Sequence, residues 1–217
     1  MTYATHRLDA PNTAVTRALI MIHGASRNAD HYFATATAAG FLAGALGNTV
    51  ILSPRLIASP DKPEANEVVW PNGGNSWRSG GMSPSNPTIS SFDFIDELVR
   101  KLADKKNFPN LARIVVAGHS AGGQVVTRYE MSTRVHNTPG VSISYVVANP
   151  SSYAWPAAVR PLPVGDADPV DAYKESLGDT GEKVHANFTS VPLTPRSFPR
   201  TIAGPRASSR STATPAR

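Results

Sequence analysis

The residues of this sequence with the clearest capacity for chemistry surround Ser120, at the centre of residues 118–122 (GHSAG). Glycine at both ends of this segment allows a turn tight enough to push the serine hydroxyl out to where a substrate carbonyl can reach it. A free serine hydroxyl is a poor nucleophile, so an adjacent general base must remove its proton. The segment therefore predicts nucleophilic catalysis by Ser120, provided that the chain supplies a histidine and an acid.

Two backbone turns are expected to stabilise the negative charge that develops on a carbonyl oxygen under attack. The N–H of Ala121 is one donor, because it begins the helix predicted after Ser120, where the helix dipole favours negative charge. A second donor is expected in the turn after an earlier strand, and residues 23–25 (HGA) occupy such a turn.

Predicted strands and helices alternate along the chain. Apolar runs with β-branched residues predict four strands, over residues 17–23, 49–52, 113–117 and 141–148. Helical spacing predicts three helices, over residues 30–46, from Ser90 or Ser91 to the lysines at 105 and 106, and from 123 to about 133. In the first of these, the expected apolar face consists of Phe33, Phe41, Leu42 and Leu46. Residues 55–87 are rich in Pro, Gly, Ser and Asn, which predicts a long loop that is functional or mobile.

This alternation predicts an α/β fold in which a parallel sheet is covered by helices on both faces. Ligand sites in such folds lie at the carboxyl ends of the strands. His23, Ser120 and Asn149 all follow predicted strands, so the expected site lies at that edge of the sheet.

The pair His23 and Gly24 at a strand end, followed by GHSAGG at 118–123, resembles the α/β-hydrolase superfamily, in particular its serine esterase, lipase and polyester depolymerase branch. The resemblance covers roughly residues 2–153. It implies the parallel-sheet α/β-hydrolase fold, Ser120 as the acyl-accepting nucleophile, and the N–H groups of Ala25 and Ala121 as the oxyanion hole. It also implies a small-molecule or polymeric ester as substrate, with no cofactor and no metal.

The sequence after residue 148 departs from the pattern of this family, in which an acid and then a histidine follow later strands. No further parallel strand is predicted there. The acids considered for the triad are Asp166 and Asp168, which lie in a predicted surface loop. The histidines considered are His185 and His136, the latter in a turn on the helix side. The base and the acid therefore stay unassigned.

Other side chains near the expected site have simpler interpretations. His23 is expected to be structural, and His119 to be a packing residue. Trp70, Trp77 and Tyr153 either line an acyl pocket or belong to the core or surface. The sequence leaves these alternatives open.

The chain changes character at residue 192. Of its last 26 residues, 22 are Arg, Pro, Ser, Thr or Ala, and none is acidic. This predicts an α/β-hydrolase domain over residues 1–191 that lacks its last strands and helices, followed by a disordered tail over 192–217. The hypothesis is that the C-terminal third is missing and that the tail comes from a shifted reading frame. Strand 141–148 would then be left as an open edge.

The amino-acid composition limits the kinds of partner that the chain is expected to bind. The net charge of +5 belongs to the tail, because the residues before 192 hold as many basic as acidic side chains. The tail lacks interleaved aromatic residues, so no nucleic-acid partner is predicted. The absence of cysteine excludes disulfides and a cysteine nucleophile. No apolar run approaches the ~20 residues of a membrane span, and the N-terminus does not resemble a signal peptide. As written, the chain is expected to be cytoplasmic, or secreted if a leader precedes it.

Two functions remain open from the sequence. The first is a serine hydrolase that cleaves carboxylic esters, which loss of the histidine and acid would impair. The alternative is a catalytically inactive α/β-hydrolase-like binding protein or a pseudogene product. The sequence predicts neither the ester nor the oligomeric state.

Overall fold

Five strands form one sheet in the computed structural model, which describes residues 1–65, 67–73, 76–152 and 154. The strands are β1 (Thr2–Ala4), β2 (Arg17–Ile22), β3 (Thr49–Pro54), β4 (Arg113–His119) and β5 (Ser142–Ala148). Their order across the sheet is β1-β3-β2-β4-β5. β1 pairs antiparallel with β3, and all other pairs are parallel. The predicted parallel sheet is confirmed, and β1 is a strand that the sequence pattern missed.

Three α-helices accompany this sheet: α1 (Ala29–Leu42), α2 (Ser91–Ala103) and α3 (Ala121–Ser132). α2 begins with a reciprocal cap, in which Ser90 Oγ accepts from the Asp93 N–H and Asp93 Oδ2 accepts from the Ser90 N–H, both at 3.0 Å. α1 ends four residues earlier than expected, because Gly44 adopts a left-handed φ of 61° just beyond it. The expected apolar face of this helix is wrong at its end, since Phe41 and Leu42 are largely exposed.

The helices cover both faces of the sheet. Alternate residues of a strand point to opposite faces of the sheet, so the contacts of β3 show on which face each helix lies. Val50 and Leu52 pack in the main core with residues of α2 and α3. Ile51, between them, faces Gly40 of α1. α1 therefore lies on one face, and α2 and α3 lie on the other. Because β2 and β4 are parallel neighbours, the loops that follow them leave the sheet at the same edge.

β5 pairs with β4 and, within the part of the chain that the structure describes, with no other strand. Two of its valines, Val146 and Val147, are 50% and 38% exposed. Residues 155–217, which include the predicted tail, lie outside the described residues. The expected open edge at β5 and the hypothesis of a missing C-terminal third therefore stay predictions.

Candidate active site

The backbone of Ser120 adopts the tight conformation that the sequence predicts between β4 and α3. Its φ is 58° and its ψ is −122°, a region that a non-glycine residue occupies only at a cost of about 1–3 kcal/mol. Three hydrogen bonds hold it: the Ser120 N–H donates to Ala148 O at 3.1 Å, and Ser120 O accepts from the N–H groups of Gln124 at 3.0 Å and Ser151 at 3.1 Å. The strained turn is therefore fixed by the end of β5 and by the first turn of α3.

Glycine at positions 118 and 122 is required by close backbone approach. A Cβ at Gly122 would lie 2.3 Å from Ile22 O and 2.7 Å from His23 O, and a Cβ at Gly118 would lie 2.3 Å from Gly122 O. These are backbone atoms that cannot rotate away. The start of α3 thus packs directly on the end of β2, with no side chain between them.

The turn after β2 lies beside Ser120. Ile22 is in register with Gly118 of the neighbouring strand, so residues 23–25 leave the sheet next to the serine. A Cβ at Gly24 would lie 3.8 Å from Ser120 Cβ and 2.8 Å from Tyr32 Oη. The structure therefore brings together the two turns that the sequence predicts, and adds Tyr32 to their surroundings.

His23 is structural, as expected, and its hydrogen bonds show why. Its Nε2 accepts from the Leu56 N–H at 2.9 Å, so the proton must be on Nδ1, which donates to Gly24 O at 2.9 Å. The ring is fully buried and lies against Trp77, with 5.0 Å between the ring centroids. Burial lowers the pKa of His23 to about 4. A neutral imidazole with both nitrogens engaged is not available as a general base.

The Ala25 amide is oriented by its neighbours. Gly24 O accepts from His23 Nδ1 and from the Arg27 N–H at 3.1 Å. Because the peptide is trans, the Ala25 N–H points away from that carbonyl. Within the described residues this N–H has no hydrogen-bond partner. The N–H of Ala121, at the first position of α3, has no acceptor within the helix either. Among the described residues, both N–H groups are therefore free to donate hydrogen bonds to a ligand oxygen.

In the described part of the chain, the remaining histidines near these elements form no hydrogen bond with the Ser120 hydroxyl. His119 is exposed, so the packing role expected for it is wrong, and its Nδ1 lies 3.4 Å from Tyr32 Oη. His136 stacks on Tyr145 in the loop after α3. The 12 residues of α3 span about 18 Å, which puts His136 at the opposite end of the sheet.

No hydrogen bond joins Ser120 Oγ to a histidine among residues 1–65, 67–73, 76–152 and 154. The triad acids and base considered from the sequence, Asp166, Asp168 and His185, lie outside the described residues. The described part of the chain also holds no group of three His, Asp or Glu side chains arranged to bind a metal ion.

The loop after β3 contributes its aromatic residues to the core. Trp70 is 1% exposed and borders a cavity that Arg55, Val68 and Phe94 also line, while Trp77 is fully buried. Tyr153 is outside the described residues. The loop also supplies Asp61, which forms an ion pair with Arg27 at 2.6 Å. No sequence pattern predicts this pair, because its members are 34 residues apart and neither belongs to a periodic pattern.

The model of the alpha/beta hydrolase family matches residues 19–216. The chain therefore belongs to the alpha/beta hydrolase family. No curated protein sequence matches it.

Among solved structures, the chain is similar to poly(aspartic acid) hydrolase-1 from Sphingomonas sp. KT-1, with 26% identity over 75% of this chain and 55% of that chain, and a TM-score of 0.45. It is also similar to LpqC, a poly(3-hydroxybutyrate) depolymerase from Bordetella parapertussis, with 23% identity over 75% of this chain and 49% of that chain, and a TM-score of 0.46. The siderophore hydrolase EstA from Aspergillus nidulans follows, with 19% identity over 81% and 68% of the two chains and a TM-score of 0.31. The chain spans about half the length of the first two.

Proposed function

We propose that this protein is a serine hydrolase that cleaves carboxylic esters through an acyl-enzyme on Ser120. The observation that carries the proposal is the strained backbone of Ser120, with a φ of 58° between β4 and α3. Strain of this kind persists where the surroundings enforce it, and it is a mark of functional sites. Family membership supports hydrolysis in general terms, and the serine geometry supports the particular mechanism.

The proposed acylation begins with attack of Ser120 Oγ on the ester carbonyl carbon, while a general base takes the hydroxyl proton. The carbonyl electron pair moves onto oxygen, where the N–H groups of Ala25 and Ala121 donate hydrogen bonds. Collapse of this intermediate breaks the bond to the alcohol oxygen, which leaves with the proton from the base. Water then attacks the acyl-enzyme by the same route, which releases the acid and restores the Ser120 hydroxyl.

For the base we propose His185, with Asp166 or Asp168 as the acid that orients it. All three follow Ser120 in the chain, as the order of triad residues in this family requires. His23 and His136 do not fit the role, because the first is buried with both nitrogens engaged and the second lies at the far end of α3. The substrate class is a small-molecule or polymeric ester.

A fluorophosphonate probe tests the nucleophile directly, because it phosphonylates serine only where the hydroxyl is activated. We expect a single label on Ser120, mapped by mass spectrometry, that disappears in Ser120→Ala. The matched control is Ser144→Ala, which changes an exposed serine on the neighbouring strand β5 and should label at the wild-type rate. Hydrolysis of p-nitrophenyl esters should fall by a factor on the order of 10⁶ in Ser120→Ala.

Loss of labelling in His185→Ala would support the proposed base, and the same test applies to Asp166→Asn and Asp168→Asn. If a folded wild-type chain takes up no label and hydrolyses no ester, the inactive binding protein becomes the better hypothesis. If His185→Ala labels at the wild-type rate, another group acts as the base.

A further inference from the structure

Arg27 ends the turn that carries the Ala25 amide, and its guanidinium group is bound on several sides. Nε and Nη2 donate to the two carboxylate oxygens of Asp61 at 2.6 and 2.9 Å. Nη1 donates to Ala25 O at 3.0 Å and to Asn72 Oδ1 at 3.2 Å. The side chains of Arg27 and Asp61 are only 13% and 11% exposed. One planar group therefore joins the turn after β2 to the long loop after β3.

The backbone of Arg27 is strained in the same turn. Its φ is 54°, although it is not glycine, and such a conformation costs about 1–2 kcal/mol. The Arg27 N–H closes the turn on Gly24 O at 3.1 Å. A left-handed arginine is retained only where other contacts hold it, and the side chain provides those contacts here.

The other end of the pair is fixed to the core. Asp61 Oδ2 also accepts from the Ala58 N–H at 2.9 Å, and Ala58 is fully buried and bridges to Trp70. Burial opposes ionisation of Asp61, but hydrogen bonds from Arg27 and Ala58 outweigh it and lower the pKa of this carboxyl. Asp61 is thus a charged group that is bonded both to Arg27 and to the backbone of the buried Ala58.

We infer that the Arg27–Asp61 pair is a clamp that positions the Ala25 N–H as an oxyanion donor. The inference rests on the proposed function. The peptide before Ala25 is held through Gly24 O, and the peptide after it is held by the bond from Arg27 Nη1 to Ala25 O. With both peptide planes fixed, the N–H needs no reorganisation when charge develops. Neither member of the pair touches the reacting atoms, so both are positioning residues.

The test compares Arg27→Gln with a control that removes a similar ion pair elsewhere. Arg7 makes the same two-bond contact with Asp9, at 3.0 Å for both bonds, but on the surface, with 78% and 73% of the side chains exposed. In the full-length chain, the backbone ¹⁵N order parameter of Ala25 should fall from about 0.85 to below about 0.6 in Arg27→Gln. It should not change in Arg7→Gln.

The chemical readout is the rate at which fluorophosphonate labels Ser120. We expect at least a tenfold decrease in Arg27→Gln, since loss of an oxyanion donor costs about 10²–10³. With p-nitrophenyl acetate, kcat should fall while KM stays unchanged. Arg27→Lys should recover part of the rate, because lysine keeps the charge but lacks the planar fork. Should Arg27→Gln fail to fold, Asp61→Asn, which preserves the shape of the partner, takes its place.

Each outcome decides between the clamp and a merely structural pair. An unchanged order parameter at Ala25 overturns the clamp whatever happens to the rate. A lower order parameter with an unchanged labelling rate overturns the positioning role. If the wild-type chain does not label at all, the proposed function has failed, and the order parameter alone decides whether the pair holds the turn.

Discussion

Replacement of Gly122 by alanine should push α3 away from β2 and displace Ser120 with it. A Cβ at this position would lie 2.3 Å from Ile22 O and 2.7 Å from His23 O, whereas ordinary contact begins at 3.4 Å. Both obstacles are backbone atoms, one at the end of β2 and one in the turn that follows it. The helix must therefore retreat by about 1 Å, because the interior has no free volume to absorb the methyl group.

The size of the effect follows from two opposing contributions. Overpacking costs about 1–3 kcal/mol, and a clash with backbone lies at the upper end of that range. Alanine in place of glycine inside a helix stabilises the folded state by about 1 kcal/mol. The net loss is about 2 kcal/mol in the free energy of unfolding, or about 4–8 °C in Tm for a chain of this size. A displacement of about 1 Å should slow labelling of Ser120 about 10²-fold.

Thermal unfolding followed by circular dichroism, together with the fluorophosphonate labelling rate, measures both effects. The matched control is Gly47→Ala, because a Cβ there would meet nothing within 4 Å. That variant should keep the wild-type labelling rate and gain no more than about 1 kcal/mol of stability. The reasoning is refuted if Gly122→Ala unfolds at the wild-type temperature, since α3 and β2 would then not be in tight contact.

Three further predictions concern stability. The pKa of His23 is lowered from 6.5 to about 4 in the folded chain, so the unfolded state takes up the proton first. This difference contributes about 3 kcal/mol to the free energy of unfolding, fully present above pH 6.5 and lost as the pH falls from there towards 4. Urea unfolding at several pH values measures the loss. Asp96→Ala should cost about 2 kcal/mol, because the buried Tyr129 hydroxyl, 2.8 Å from Asp96 Oδ1, loses its acceptor. Ser90→Ala should cost about 1 kcal/mol, because it removes the cap of α2; both costs are read from the same unfolding curves.

Matched control variants distinguish these specific losses of stability from the effect of any substitution nearby. His23→Gln should abolish the part of the acid sensitivity due to this imidazole, and persistence of the full pH dependence would contradict its assignment. Glu97→Ala changes an exposed acid beside Asp96 and should cost less than about 0.5 kcal/mol. If Asp96→Ala were as harmless, the buried hydroxyl would have found another acceptor. Ser144→Ala, on an exposed strand position, serves the same purpose for Ser90.

The parts of the fold predicted from sequence are those specified by local signals. β2 to β5 are apolar runs, and α2 carries a capping serine and an apolar face that is buried at Ile95, Leu98 and Val99. The turn at Ser120 was predictable because its glycines are adjacent in sequence to the serine that they serve. In each of these cases the residues that define the element lie within a few positions of one another.

The parts that could not be predicted depend on contacts between distant residues. β1 is three residues long and exists through its pairing with β3. α1 is rich in alanine, so its sequence does not distinguish a buried face from an exposed one, and Phe41 proved to be 72% exposed. The Arg27–Asp61 contact follows from the path of the loop after β3, which no local pattern specifies.

The hydrogen bonds around Ser120 have a consequence for when the strained turn can form during synthesis. The residues of the motif are complete once residue 122 has been added to the chain, but the bonds from Ala148 and Ser151 that close the turn come later. Until the ribosome has released those residues, nothing on that side opposes relaxation of the serine to an ordinary conformation. The strained backbone of Ser120, on which the proposed reactivity depends, is therefore a property of the assembled sheet, acquired after the motif itself has been translated.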